Sequence, residues 1–292
     1  MDAAARRGGP APARRRCLAI VVARDEQASV GEVLGGIPGE ACGMPVDTLL
    51  VDDGSRDATP SIARDLGTRV VSHDVPRGLG AAVRTGLELA RDEGYAAAVY
   101  LDGDGEYSPA DFERVLEPVA HGRADYVLGS RFLGERDGMT WHRTLANRAV
   151  SALLGTLMET VISDGQTGYR AFSARALRAA RIRHDYNYAQ VLTLSLWGAG
   201  IEPVEVPIRY RRRASGRSFV RYPEYFARVA PAIWREWRTS RRTRSAMATA
   251  MPAASQYGQP PSGSNNGSSS TSGPNGASGR SVTSSPPART ST

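Results

Sequence analysis

Across its first half the chain alternates short unbroken apolar runs with stretches of helical periodicity. Leu18–Ala23 is a run without polar alternation, the pattern of a strand buried on both faces. A helix is predicted near Ser29–Gly36. Thr48–Val51 is a second strand that ends on Asp52 and Asp53, after which Asp57 or Thr59 can cap a helix. Arg69–Ser72 is a third strand, Gly80–Arg91 carries apolar residues at helical spacing, and Ala96–Leu101 is a fourth strand. Ser108-Pro109 opens a further helix, with Ser as cap and Pro in the first position, and Tyr126–Leu128 is a fifth strand. This alternation predicts a doubly wound, Rossmann-like α/β domain with a mostly parallel sheet. After Phe132 the rhythm weakens: Thr144–Met158 reads as helix, Tyr169–Phe172 as strand, Tyr188–Trp197 as helix and Val204–Tyr210 as strand. An Arg-rich loop and an amphipathic stretch from Pro223 to about Arg242 follow.

Ligands of such sheets bind outside the carboxyl ends of the strands. Asp25, Asp52, Asp53, Asp102, Asp104 and Arg131 all fall at those ends. Asp102 and Asp104 stand one residue apart where Val99-Tyr100-Leu101 runs out, so an extended backbone sends both side chains the same way. Gly103 and Gly105 let the chain turn there and approach a ligand closely. Two hard oxygen ligands with room left for phosphate oxygens suit Mg²⁺ or Mn²⁺. Taken alone, an acidic Gly-rich β-turn would look the same.

Composition changes the picture at the two ends. The 292 residues fit one catalytic domain plus a tail. The net charge of +7 is unevenly spread: residues 1–16 carry five Arg and one Asp, 17–204 carry 18 Arg against 26 acids, and 205–244 carry 12 Arg against three Glu. The boundaries follow. Residues 1–16 are an Arg-rich disordered start, 17–220 the catalytic domain, and 221–244 a basic amphipathic helix. Residues 245–292, rich in Ser, Gly, Pro and Thr, bury too little apolar surface to fold. The basic flank points to an anionic partner, and no base-reading motif marks that partner as nucleic acid. Cys17 and Cys42 make no disulfide framework. With no apolar run of spanning length, the expectation is a cytoplasmic protein in peripheral contact with the cytoplasmic face of a membrane.

Several segments together resemble the family 2 glycosyltransferases, in particular the dolichol- or polyprenyl-phosphate mannosyltransferases. They are Ala23-Arg24-Asp25-Glu26, Val51-Asp52-Asp53-Gly54-Ser55-Arg56-Asp57-Ala58-Thr59, Arg77-Gly78-Leu79-Gly80-Ala81-Ala82 and Leu101-Asp102-Gly103-Asp104-Gly105-Glu106. Gly129-Ser130-Arg131-Phe132, Asp164-Gly165-Gln166-Thr167-Gly168-Tyr169-Arg170, Glu205-Val206-Pro207 and Gly216-Arg217-Ser218 follow in order. The resemblance implies a GT-A fold and inverting transfer of a hexose from a nucleotide sugar, GDP-mannose or a UDP-sugar. It implies that Asp25, Glu26, Asp52 and Asp53 meet the nucleoside, and that Arg77 with Gly78 and Gly80 meets the diphosphate. Asp102 and Asp104 hold the metal. Glu106 stands where the family commonly has Gln, so it joins the metal shell or bears on the choice of sugar. Arg131, Arg170 and Arg217, with Ser218, meet the acceptor's phosphate, and Asp164 and Gln166 bind sugar hydroxyls or orient Arg170. Arg24-Asp25 departs from the family's usual Tyr-Asn.

A phosphate monoester acceptor is already largely dianionic at neutral pH and needs no base, whereas a hydroxyl acceptor does. His73, His121, His142 and His184 are scattered, which favours the phosphate, with Asp164 held in reserve as a base. Aromatics and arginines interleaved from Phe219 to Arg242 suit a bilayer's headgroup region; a helix packed on the domain with a solvated Arg face would carry the same pattern. Two other functions stay open: the same fold and donor with a small hydroxyl acceptor, and a nucleotide-sugar-binding protein without turnover.

Overall fold

The computed structural model describes residues 15–185, 188–212 and 222–250. In chain order the elements are β1 (Cys17–Ala23), α1 (Val30–Gly35), β2 (Glu40–Ala41), β3 (Met44–Asp52), α2 (Thr59–Asp65), β4 (Arg69–Ser72), α3 (Leu79–Asp92) and β5 (Ala97–Asp102). There follow α4 (Phe112–Ala120), β6 (Tyr126–Ser130), β7 (Arg136–Asp137), α5 (Trp141–Met158), β8 (Arg170–Ser173), α6 (Ala174–Ala179), α7 (Ala189–Gly198), β9 (Pro203–Pro207), β10 (Tyr210–Arg211) and α8 (Tyr222–Ala250).

The main sheet runs β3-β1-β5-β8-β6-β9, with β4 and the short β2 both on the outer edge of β3. Strands β1, β3, β4 and β5 are mutually parallel, as are β6 and β9, while β8 lies antiparallel between β5 and β6. Both faces are covered, which is why β1 reads as an unbroken apolar run. Leu18, Ile20 and Val22 pack with α3, α6 and α7 on one side. Cys17, Ala19, Val21 and Ala23 pack with α1 and α4 on the other.

The inversion of β8 is what the alternating pattern did not disclose. Because it runs against its neighbours, its first residue, Arg170, and the loop before it arrive at the rim where β1, β3, β5 and β6 end. Two smaller expectations change. The strand expected over Val204–Tyr210 stops at Pro207, and Tyr210–Arg211 pairs with β7 in a separate two-stranded ribbon. Helix α2 is capped by neither of the residues named for it; Ala58 occupies the cap position, and Asp57 instead accepts the Thr59 N–H at 2.9 Å.

Helix α8 continues through Ala250, six residues past the expected end of the basic segment. Ala232, Ile233, Glu236 and Ser240 are buried. Gly198 of α7 lies so close that a Cβ there would stand 2.7 Å from the Ser240 Cα. Arg183 pairs with Glu236 at 2.6 Å, Trp237 donates to the Leu157 carbonyl at 3.0 Å, and Arg244 reaches Glu202 at 2.6 Å. Its described part is therefore a helix packed on the domain with a solvated arginine face. Among the described residues no helix is long and apolar enough to cross a membrane.

Candidate active site

The loops after β1 and β3 are laced together. Asp25 takes a positive φ of 55°, its N–H donates to Ser55 Oγ at 2.9 Å, and its carboxylate accepts the Arg56 N–H at 2.7 Å. Glu26 N–H donates to Thr59 Oγ1 at 2.8 Å, Gln27 N–H to Asp57 at 3.1 Å, and Ala58 N–H to Gln27 at 3.1 Å. Five cross-loop bonds thus make one wall from two loops, and Ser55, Gln27 and Thr59, none of them named as a site residue from the sequence, are members of it.

Asp52 and Asp53 are both buried. Asp52 accepts the Ser55 N–H at 3.0 Å. Asp53 organises the next loop: it accepts the N–H groups of Arg77 and Gly78, each at 2.8 Å, and pairs with His73 Nδ1 at 2.8 Å. Asp53 was expected to bind base or ribose; its oxygens instead build the turn that opens α3. That turn leaves the Arg77 side chain exposed beside a helix N-terminus, a fitting place for a diphosphate. Gly80 has a different role from the one expected. Its N–H donates to the Asp185 carbonyl at 2.8 Å, and a Cβ would stand 2.1 Å from the His184 carbonyl oxygen, so this glycine admits protein backbone rather than phosphate.

Asp102 ends β5 and Asp104 lies in the turn that follows it, both half-buried. Asp102 Oδ1 accepts the Tyr100 hydroxyl, and Asp104 Oδ1 accepts the Glu106 N–H at 3.0 Å. Burial, then the neighbouring Asp102 charge, pushes the Tyr100 phenol well above its ordinary pKa, which keeps it a donor. Gly168 abuts this carboxylate: a Cβ there would fall 2.1 Å from Asp102 Oδ2. The same loop is tied down by the Gly168 N–H, which donates to the Tyr107 hydroxyl at 2.7 Å.

Glu106 follows the pair by two residues. It is buried and faces Arg143 of α5, with Nη1–Oε1 at 3.2 Å and Nη2–Oε2 at 3.0 Å. It was expected in the metal shell or at the choice of sugar, and here its carboxylate is held by a guanidinium. Among the described residues no three His, Cys, Asp or Glu side chains form a metal cluster. The donor set is the two aspartates, and two hard carboxylates at the mouth of a sheet fit a cation that keeps further positions for phosphate oxygens and water.

Arg131 and Arg170, expected to meet the acceptor's phosphate, are both bonded within the protein. Arg131 is buried and doubly bonded to Asp164, Nε–Oδ2 at 2.7 Å and Nη2–Oδ1 at 2.8 Å, while its N–H donates to Oδ2 at 3.0 Å. Burial opposes the charge, but Tyr107 and Asp164 outweigh it and lift the Arg131 pKa above an arginine's ordinary value. Arg170 is fully buried and donates to the carbonyls of Thr167, Gly165 and Ala189 at 2.8, 3.1 and 3.1 Å, and to Tyr126 Oη. Both guanidiniums are buried in these bonds. Asp164, the reserve base, is fully buried in its pair with Arg131. Glu205, read as structural, holds that unit in place by accepting from the N–H groups of Ser163 and Asp164, each at 2.8 Å. Gln166 is half-buried on the same loop. Arg217 and Ser218 lie outside the described residues.

Comparison with known proteins fits this geometry. The glycosyl transferase family 2 profile matches residues 19–181. The chain is 30% identical over 216 residues to the polyprenol monophosphomannose synthase of Mycolicibacterium smegmatis, covering 70% of this chain and 80% of the relative. It is 31% identical over 183 residues to the undecaprenyl-phosphate mannosyltransferase of Micrococcus luteus, covering 59% of this chain and 74% of that one. In three dimensions it superposes on a glucosyl-3-phosphoglycerate synthase from Mycobacterium tuberculosis, solved with Mn²⁺, UDP-glucose and phosphoglyceric acid. The TM-score is 0.61 at 20% identity, over 76% of this chain and 80% of the other, a likeness of fold. With the profile spanning more than half its length, the chain belongs to glycosyl transferase family 2.

Proposed function

We propose that the protein moves a hexose, with inversion, from a nucleotide sugar to a polyprenyl- or dolichyl-type phosphate. The observation that carries the acceptor is Asp164. The carboxylate that a hydroxyl acceptor would need as a base is sealed against Arg131, whereas a phosphate dianion attacks unaided. The two lipid-phosphate relatives described above bear mannosyl names, which supports GDP-mannose as the first donor to try.

In this reading the acceptor's phosphate oxygen attacks the anomeric carbon from the face opposite the diphosphate. The bond from that carbon to the donor's β-phosphate oxygen breaks, and the nucleoside diphosphate departs. The wall built by Asp25, Glu26 and Asp52 orients the nucleoside, and Arg77 meets the diphosphate at the start of α3. Asp102 and Asp104 would hold Mg²⁺ or Mn²⁺, which when bound supplies positive charge to the leaving diphosphate. The glucosyl-3-phosphoglycerate synthase solved with Mn²⁺ and UDP-glucose favours Mn²⁺ as the ion to test first. The rest is placement of two anions in line.

Mass spectrometry of reactions containing GDP-mannose or UDP-sugars, Mn²⁺ and either polyprenyl phosphate or the corresponding polyprenol should show a hexosylated product from the phosphate alone. Product from the alcohol, or from extracted small hydroxyl acceptors only, would overturn the acceptor assignment.

A lipid acceptor asks for contact with a membrane, and two neighbouring helices offer it. Helix α5 exposes Trp141 (77%) and Leu145 (62%), and Val161 just beyond it is 92% exposed. On α8, Trp234, Arg235, Arg238, Arg241 and Arg242 face outward. Since α8 also packs on α7, deleting it would uncover core; removing charge is the cleaner test. Each arginine near an anionic leaflet contributes about 1 kcal/mol. Changing the four exposed arginines to Gln should therefore weaken partitioning onto phosphatidylglycerol vesicles by about 100-fold or more, most visibly at low salt. Unchanged sedimentation with those vesicles would remove α8 from the membrane contact.

A further inference from the structure

One buried group beside the aspartate pair has no part in the transfer as described. Tyr100 precedes Asp102 by two residues on β5, so the pleat puts both on one face. The ring is fully buried, packs edge-on against Tyr188 with centroids 5.4 Å apart and planes at 89°, and sends its hydroxyl to Asp102 Oδ1. Behind it the Arg170 guanidinium lies 5.1 Å from the Tyr188 ring centroid, on the residue paired with Tyr100 across the β5–β8 ladder. Arg170 is itself fixed by carbonyls of the 165–167 loop and of Ala189 on α7.

We propose that Tyr100 is a positioning residue for Asp102, and that Arg170, Tyr188 and Tyr100 form a strut fixing the carboxylate plane of a divalent-cation ligand. A carboxylate at the end of a strand can otherwise rotate about two side-chain torsions. A donated phenol hydroxyl removes that freedom, as outer partners of ligating groups commonly do. The strut also gives the buried Arg170 a role: it keeps Tyr188 against Tyr100. This inference rests on the metal reading of Asp102 and Asp104, and its test separates the two.

The experiment is titration of the full-length protein with Mn²⁺ alone, free ion read by electron paramagnetic resonance, in wild type, Tyr100→Phe, Tyr188→Leu and Asp104→Ala, with circular dichroism to establish folding. Tyr100→Phe keeps the ring and should weaken Mn²⁺ binding by about 10- to 100-fold, the usual cost of losing an outer partner. Tyr188→Leu, which removes the ring packed edge-on against Tyr100, should shift the same way by less, and it decides the matter if Tyr100→Phe does not fold. Affinities within twofold of wild type for the folded tyrosine variants, with Asp104→Ala silent, would overturn the strut and leave the metal site standing. Wild type and Asp104→Ala binding Mn²⁺ alike would sink the metal reading and the strut with it.

Discussion

Asp104→Ala is expected to cut sugar transfer by at least about 1,000-fold while the protein stays folded. A factor of that size is about 4 kcal/mol of barrier, within what a cation at a leaving diphosphate supplies. The structural cost is small, because the Asp104 side chain is half-exposed at a turn where its Oδ1 accepts the Glu106 N–H. Turnover and thermal unfolding should thus part company: kcat collapses and the melting temperature moves by a few degrees at most. Chelation of wild type with EDTA should reproduce the loss, and added Mn²⁺ should restore it. Full activity of Asp104→Ala in chelator would remove the cation from the reaction.

That rim was legible from the chain because strand ends announce themselves. A buried strand must stop where polar residues begin, and in a parallel sheet those stops share one edge. Asp25, Asp52 and Asp102 could therefore be placed together before any coordinates. The arginines could not. A charged residue in a motif reads as a ligand for charge, and nothing local distinguishes Arg77, which is exposed, from Arg170, which is fully buried. Their fates are set by β8 running backwards between β5 and β6, a long-range pairing with no mark in the periodicity of Tyr169–Phe172. Glu106 escaped for a related reason, since its partner Arg143 comes from a helix 37 residues later. Tyr100 is the instructive case. Its i,i+2 spacing to Asp102 was in view from the start, and the pleat of β5 sets those two side chains on one face.

The other large effect concerns stability. Asp164→Ala should lower the free energy of unfolding by about 3–5 kcal/mol, the cost of leaving a buried charge without its partner. Arg131 stays behind with its Nε, Nη2 and backbone N–H deprived of the oxygens that hold them at 2.7, 2.8 and 3.0 Å. Against total stabilities of about 5–15 kcal/mol this is a large fraction, readable as a fall in the urea midpoint. Replacing both partners, Arg131→Met with Asp164→Leu, should cost less than Asp164→Ala alone, because no charge is then stranded. A general base would behave otherwise: Asp164→Ala would keep its urea midpoint and lose turnover with a changed pH profile. That outcome would reopen Asp164 to the substrate and reinstate a hydroxyl acceptor. A lowered midpoint, partly recovered in the double variant, leaves attack to an acceptor that carries its own negative charge.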